Sequence, residues 1–187
     1  MKLPEKYFLY VGNAYPHKNL ERLLEVMSNV KCSAKGGSNV QLVLVGAEDY
    51  FYKKLKKKVK EIGLEENVVF YGEATRKELE ILYKNAIALV FPSLMEGFGL
   101  PAVEAMNQGC LVLSSDIPVF HEVLGEAVVY FNPYNVEDIA SKLESILKEP
   151  QKYESFKVKG LDQVRRYSWE KLARQTLAVY EKFIKRG

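Results

Sequence analysis

The sequence predicts an α/β fold: a doubly wound, Rossmann-like parallel sheet of about six strands, with helices on both faces and extra C-terminal helices. Two observations predict this class. Short runs of apolar and β-branched residues alternate with longer segments of helical periodicity, which is the order that strand–helix–strand units produce. Residues 40–45 are almost continuously apolar, as expected of a strand that helices cover on both sides of a parallel sheet.

In the first half of the chain, each predicted strand is a short apolar run that stops at a glycine. The helices between them repeat their apolar residues at a spacing of three or four. Thr75, followed three residues later by Glu78, is a capping box and marks the start of the third helix. The predicted elements are, in order, strand 7–11, helix 19–30, strand 40–45, helix 49–62, strand 67–71 and helix 75–85.

In the second half, prolines and glycines mark the boundaries. Pro92 stops a strand, and Pro101 and Gly109 bracket a helix at the positions that proline and glycine prefer. Three consecutive helices close the chain, and we expect Trp169 to be the packing anchor of the last one. The predicted elements are strand 87–91, helix 101–108, strands 111–113 and 128–131, and helices Val136–Lys148, 151–165 and 169–185.

The composition excludes several functional classes. With 48 % hydrophobic and 27 % charged residues among 187, the chain suits one globular domain rather than a disordered or fibrous protein. A net charge of +3 is too small to indicate a nucleic-acid partner. Cys32 and Cys110 lack metal-binding spacing and are expected to be inert packing residues, so the predicted compartment is the cytoplasm. No apolar run of about 18 residues predicts a membrane-spanning helix.

Residues 96–104 carry the pattern with the clearest chemistry, Glu-Gly-Phe-Gly-Leu-Pro-Ala-Val-Glu. The two glycines let the backbone approach a ligand. A helix that begins at Pro101 offers a phosphate the free amides of residues 102–104 and the positive end of its dipole. Glu104 can accept hydrogen bonds from a diol such as ribose, and Glu96 from sugar hydroxyls. The same residues also fit a capped helix with two solvated glutamates.

This string resembles the retaining glycosyltransferases of family 4, which have the GT-B architecture of two Rossmann-like domains. Other segments are similar to successive landmarks of that family: residues 10–13, 16–20, 44–46, 69–72, 82–86, 91–93, 109–114, 122–125, 132–133 and 167–170. The resemblance covers nearly the whole chain. It implies the C-terminal, donor-binding domain of such an enzyme.

The resemblance implies a role for each matching residue. Lys18 matches the lysine that binds the donor diphosphate, Glu96 the glutamate that touches the donor hexose, and Glu104 the glutamate that binds ribose. We therefore expect Lys18 and Glu96 to be the catalytic residues. The other expected donor-binding residues are Gly12, Asn13, Gly46, Tyr71, Gly72, Gly97, Phe98, Gly99 and Leu100.

Some of these assignments have structural alternatives. Tyr71 also fits a half-buried strand residue, and Gly46 also fits a simple turn. Asn13 stands where the family often has an arginine, which leaves one cation fewer for the diphosphate. The lysine-rich residues 53–60 fit a solvated helix face better than a patch that docks on a membrane.

The implied reaction is a retaining hexosyl transfer that needs no metal ion and no cofactor. Lys18 and the helix start at Pro101 stabilise the charge that grows on the leaving diphosphate, and Glu96 positions the sugar. The loop at Lys18 favours GDP-mannose as the donor, with a UDP-sugar as the alternative. The acceptor is then a glycan or a lipid-linked sugar, with peripheral membrane association at the inner face of the membrane. A non-catalytic nucleotide-sugar-binding module and a sugar-nucleotide epimerase-like domain are the alternative functions.

A GT-B enzyme has two such domains, and this sequence starts at the first strand of the second. We therefore expect residues 1–187 to form a single nucleotide-sugar-binding domain, the C-terminal half of a larger enzyme. Residues 167–187 are expected to form a final helix that packs on the missing N-terminal domain. This domain alone is expected to bind nucleotide sugars weakly and to transfer none.

Overall fold

A computed structural model describes residues 3–29 and 40–184 of the chain. Six parallel strands form one sheet in the order β3-β2-β1-β4-β5-β6. The strands are β1 (Tyr7–Val11), β2 (Gln41–Val45), β3 (Val68–Gly72), β4 (Ala88–Phe91), β5 (Val112–Ser115) and β6 (Val129–Phe131). The predicted doubly wound parallel sheet is confirmed.

Helices cover both faces of this sheet. They are α1 (Leu20–Asn29), α2 (Tyr50–Glu61), α3 (Arg76–Asn85), α4 (Leu100–Asn107), α5 (Pro118–Leu124), α6 (Val136–Lys148), α7 (Glu154–Val164) and α8 (Trp169–Ile184). On one face α1 packs against α2 and α6, and on the other α4 packs against α3 and α7. The predicted capping box opens α3, because Thr75 accepts from the Glu78 amide and Glu78 reaches back to Thr75.

The burial of the strands explains why their sequences are so apolar. Nearly every side chain of the four central strands is buried, whereas β3 and β6 at the two edges are partly open. Cys110 belongs to the same core, and burial raises the pKa of its thiol to about 12, so it is the inert packing residue that the sequence predicts. Cys32 lies outside the described residues.

Several helix boundaries differ from the predicted ones by a residue or more. Asn19 does not start α1, since it takes a left-handed conformation after a 3₁₀ turn over Pro16–Lys18. The predicted helix 151–165 is broken, because Pro150–Tyr153 form a 3₁₀ turn before α7. Helix α4 begins at Leu100, one residue before the predicted start.

The last helix, α8, lies apart from the rest of the described chain. All of its residues are exposed, although large apolar side chains recur along it at helical spacing. The expected anchor role of Trp169 is wrong within the described residues, because its side chain is 76 % exposed. The packing of residues 167–187 on a further domain stays a prediction.

The lysine-rich side of α2 faces solvent, and acidic neighbours offset part of its charge. The ion pairs are Lys54–Glu21, Lys56–Glu48 and Lys57–Glu61. Exposed pairs of this kind stabilise a protein little, but they support the interpretation of this helix as a solvated face. Among the helices of the described residues, none is long and apolar enough to cross a membrane.

Candidate functional site

The candidate site lies where the order of the strands reverses. Strands β1 and β4 are neighbours in the middle of the sheet, and the chain continues from them toward opposite edges. The loops that follow two such strands separate, which opens a crevice at the carboxyl ends of the strands. The loop after β1 carries Lys18 and the loop after β4 carries Glu96. The topology therefore directs both residues to one crevice.

Lys18 and Glu96 contact each other directly there. Lys18 Nζ lies 2.5 Å from Glu96 Oε1, and the two side chains are only 13 % and 12 % exposed. Ser93 Oγ donates to the same carboxylate oxygen at 2.8 Å, and the ammonium lies 5.8 Å from the centre of the Phe91 ring. Charges this far from solvent need partners. The pair is thus a built part of the crevice rather than a passing surface contact.

Hydrogen bonds between the two loops hold this pair in place. The Leu94 amide donates to the His17 carbonyl at 2.7 Å. Asn19 is buried and left-handed, with φ of 60°, a conformation that asparagine tolerates better than most residues. Its Nδ2 donates to the carbonyls of Pro92 at 3.1 Å and Pro133 at 2.9 Å. The residue after the lysine therefore fixes the turn that presents the lysine.

Backbone donors are available beside the pair, although not where the sequence placed them. The amides of residues 97–100 have no hydrogen-bond acceptor in the described part of the chain. The expectation of free amides was wrong for Ala102 and Val103, which donate to the Gly99 carbonyl at 3.0 and 3.4 Å. Because α4 begins at Leu100, its unpaired donors lie earlier in the chain than predicted. The backbone amides that could bind a phosphate are therefore those of residues 97–100.

Gly99 is the residue that shapes this segment. Its φ is +88°, a left-handed conformation that suits glycine, and a Cβ built on it would lie 2.8 Å from the Phe120 ring. The neighbouring Phe98 stands edge-on to Tyr167, with ring centres 5.2 Å apart. The Tyr167 hydroxyl donates to the Val123 carbonyl at 3.0 Å. The Phe120 ring thus packs against Gly99, and the Tyr167 ring packs against Phe98.

Glu104 lies on an exposed part of α4 and is held by a tyrosine from α3. The buried Tyr83 hydroxyl donates to Glu104 Oε2 at 3.2 Å. Burial, and then the charge of Glu104, raise the pKa of Tyr83 well above its ordinary value. The phenol therefore stays protonated at physiological pH and acts as a hydrogen-bond donor.

The expected glycines at the ends of the first three strands are joined through the backbone. The Gly12 amide donates to the Val45 carbonyl at 2.9 Å, and the Gly46 amide donates to the Gly72 carbonyl at 3.0 Å. These particular backbone groups are already engaged. Open space is found only at Gly72, since no described atom lies within 4 Å of a Cβ built there, whereas a Cβ at Gly12 or Gly46 would meet a tyrosine side chain.

Asn13 and Tyr71 use their side chains locally. Asn13 Oδ1 accepts from the Tyr15 amide at 3.3 Å, which shapes the turn before Lys18. Tyr71 is half-buried at the end of β3, and its hydroxyl donates to Glu78 Oε1 at 3.1 Å. Tyr71 is therefore the half-buried strand residue that the sequence offered as an alternative. Contact of Asn13 or Tyr71 with a ligand stays a prediction.

The sequence missed the residues that hold the charged groups. Ser93, Asn19 and Tyr83 were landmarks without a role, yet each makes a hydrogen bond that orders the site. Ser93 stands three residues before Glu96, which is a spacing that a search for partners of Glu96 would have found. Tyr83 had no such signal, because α3 and α4 meet only in the folded chain.

Comparison with known protein families gives one match across most of the chain. The family model described as glycosyl transferases group 1 matches residues 2–163. This range contains both loops of the crevice and the whole sheet.

Two relatives and one solved structure are similar to the chain. The O-antigen chain mannosyltransferase RfbU of Salmonella typhimurium is 36 % identical over 91 % of the chain and 46 % of its own length. The GDP-mannose:cellobiosyl-diphosphopolyprenol alpha-mannosyltransferase of Xanthomonas oryzae is 28 % identical over 89 % of the chain and 44 % of its own length. The C-terminal domain of a group 1 glycosyl transferase from Francisella tularensis, LpcC, superimposes with a TM-score of 0.72 at 26 % identity, over 88 % of this chain and 87 % of that one. The chain therefore spans about half the length of these curated relatives.

Proposed function

The chain belongs to the glycosyl transferases group 1 family, and we propose that it binds the nucleotide-sugar donor for a retaining hexosyl transfer. One observation carries the proposal. Two loops hold Lys18 and Glu96 in contact at the switch point, where ligands of open α/β sheets bind. A cation next to a carboxylate matches a donor in which an anionic phosphate is joined to a sugar that carries hydroxyl groups.

The proposed roles follow from the charges and donors in the crevice. Lys18 and the free amides of residues 97–100 bind the diphosphate and stabilise the negative charge that grows on it as the glycosidic bond breaks. Glu96 accepts from a hydroxyl of the hexose and holds the ring in position. Glu104, one turn into α4, accepts from the ribose. These donors supply positive charge without a metal ion, so we propose a metal-independent reaction.

A mannosyl donor is the proposed substrate. Curated relatives of this chain are mannosyltransferases, and the name of one of them includes GDP-mannose. We therefore propose GDP-mannose, with a UDP-sugar as the second choice. The resemblance of residues 18–20 and 96–101 to mannosyltransferase-like members of the family supports the same choice.

The acceptor side is proposed to lie outside this chain. The curated relatives are about twice as long as the matched part, so we propose that residues beyond these 187 bind a glycan or lipid-linked acceptor. The reaction is placed in the cytoplasm, at the inner face of the membrane when the acceptor is lipid-linked. Residues 1–187 alone are then expected to bind the donor and to transfer no sugar.

Calorimetric titration of the chain tests this function. GDP, UDP and ADP, and the mannose and glucose derivatives of the first two, are titrated with and without EDTA. We expect submillimolar to millimolar binding, strongest for GDP-mannose, which EDTA does not change. No turnover is expected when a mannosyl acceptor is added.

Three results would each contradict a part of the proposal. If no nucleoside diphosphate binds at millimolar concentration, the chain is a non-catalytic module that recognises something else. If binding requires a divalent cation, the metal-independent mechanism is wrong. Sugar transfer by these 187 residues would overturn the proposed division between donor and acceptor sides.

A further inference from the structure

Tyr83 is a buried tyrosine of α3 whose hydroxyl reaches out of the core to the surface of α4. Its side chain is 2 % exposed, yet its hydroxyl makes a hydrogen bond to an exposed glutamate. The bond joins residues 21 positions apart, on α3 and α4. A buried hydroxyl must find a partner to offset its lost hydration, and here that partner is Glu104.

Glu104 depends on this contact for its orientation. Among the described residues, the Tyr83 hydroxyl is the only group that donates to the Glu104 carboxylate, and no basic side chain forms an ion pair with it. A glutamate on a helix surface otherwise samples several rotamers. One hydrogen bond from a buried, rigid phenol restricts that sampling.

The contact leaves the carboxylate free to bind a ligand. Each carboxylate oxygen can accept two hydrogen bonds. With one site on Oε2 taken at 3.2 Å, the remaining sites suffice for a pair of neighbouring hydroxyls. Because burial keeps the tyrosine protonated, the donor persists over the whole neutral pH range.

We propose that Tyr83 is a positioning residue that orients the Glu104 carboxylate toward the vicinal diol of the nucleoside ribose. It does not touch the ligand and acts through Glu104. The inference rests on the proposed donor-binding function and adds to it how the site would favour a ribose with both hydroxyls over one that lacks them. Preorganisation of this kind increases affinity because less freedom is lost on binding.

Paired nucleotides separate this role from a general effect on folding. The full chain is titrated with GDP and UDP and with the 2′,3′-dideoxy form of each, which lacks both ribose hydroxyls. We expect Tyr83→Phe to lower affinity for the ribonucleotides about fivefold, because a Glu104 side chain that rotates freely loses more freedom when it binds the diol. Affinity for the dideoxy forms should stay unchanged. In a Glu104→Ala background, Tyr83→Phe should have no further effect on either.

Tyr7→Phe is the matched control. Tyr7, on β1, is also buried, and its hydroxyl donates to the Leu82 carbonyl at 2.8 Å. Leu82 precedes Tyr83 on α3. Removing the Tyr7 hydroxyl should leave the preference for ribonucleotides intact. If Tyr83→Phe weakens ribo and dideoxy forms equally, or matches Tyr7→Phe, the positioning role is overturned alone. If the unaltered chain binds no nucleoside diphosphate, the proposed function falls and this inference falls with it.

Discussion

Replacing Lys18 by methionine is expected to weaken binding of the nucleotide-sugar donor about 100-fold. Methionine keeps most of the apolar stem that passes the Phe91 ring but removes the ammonium. A hydrogen bond to a charged group contributes up to about 3 kcal/mol, which corresponds to about two orders of magnitude in affinity. Calorimetric titration with GDP-mannose measures the change. Lys57→Met, on the solvated side of α2, is the matched control and should bind normally.

A second variant separates lost binding from lost stability. Lys18→Met leaves Glu96, which is 12 % exposed, with Ser93 as its remaining partner, and an unpaired carboxylate in that setting lowers stability. Adding Glu96→Gln removes the unpaired charge and should recover most of any lost thermal stability. Binding should not recover. A double variant that regains affinity along with stability would mean that Lys18 acts on the fold and not on the donor.

Gly46→Ala is expected to lower the free energy of unfolding by about 3 kcal/mol. An ideal Cβ at this position would lie 2.1 Å from the Gly12 carbonyl oxygen and 2.6 Å from the Tyr52 hydroxyl. The first of these atoms belongs to the backbone of the neighbouring strand end, so the strand ends must separate to admit the methyl group. Urea denaturation, with the midpoint and slope fitted together, measures the loss.

Gly97→Ala provides the comparison for this variant. It lies in the same crevice, but no atom of residues 3–29 or 40–184 comes within 4 Å of a Cβ built there, and its φ is not left-handed. Its free energy of unfolding should change by less than about 0.5 kcal/mol. Equal stability of the Gly46 and Gly97 variants would show that the ends of β1 and β2 can move apart freely.

Local sequence patterns predicted the fold well because the signals for it are local. The apolar runs that became β1, β2 and β4 are buried on both faces, and burial of that kind favours apolar residues at nearly every position. Strand β5 is buried as well but ends in two serines, which lie beyond its predicted bounds. Helix α6 has the predicted bounds, Val136–Lys148, since an asparagine cap and a regular apolar stripe define it. The Rossmann-like order then placed the loops after β1 and β4 in one crevice.

What the sequence did not predict depends on contacts between distant segments. Asn19 has a helical neighbourhood, but bonds to Pro92 and Pro133 hold it in a left-handed turn. The amides of Ala102 and Val103 are engaged because α4 starts one residue early at Leu100. No local pattern reports such events, since each is decided by a partner elsewhere in the chain.

Glu96 occupies the position beside the Lys18 ammonium that an anionic ligand would take, so a ligand must compete with Glu96 for the lysine. A simple anion such as sulfate can engage the lysine only by taking it from the glutamate, and it brings no hydroxyl to replace what the glutamate loses. A nucleotide sugar brings both an anion and a hydroxyl, so each member of the pair exchanges one partner for another. We therefore expect the crevice to bind a simple anion such as sulfate more weakly than a nucleotide sugar, which carries the two features together.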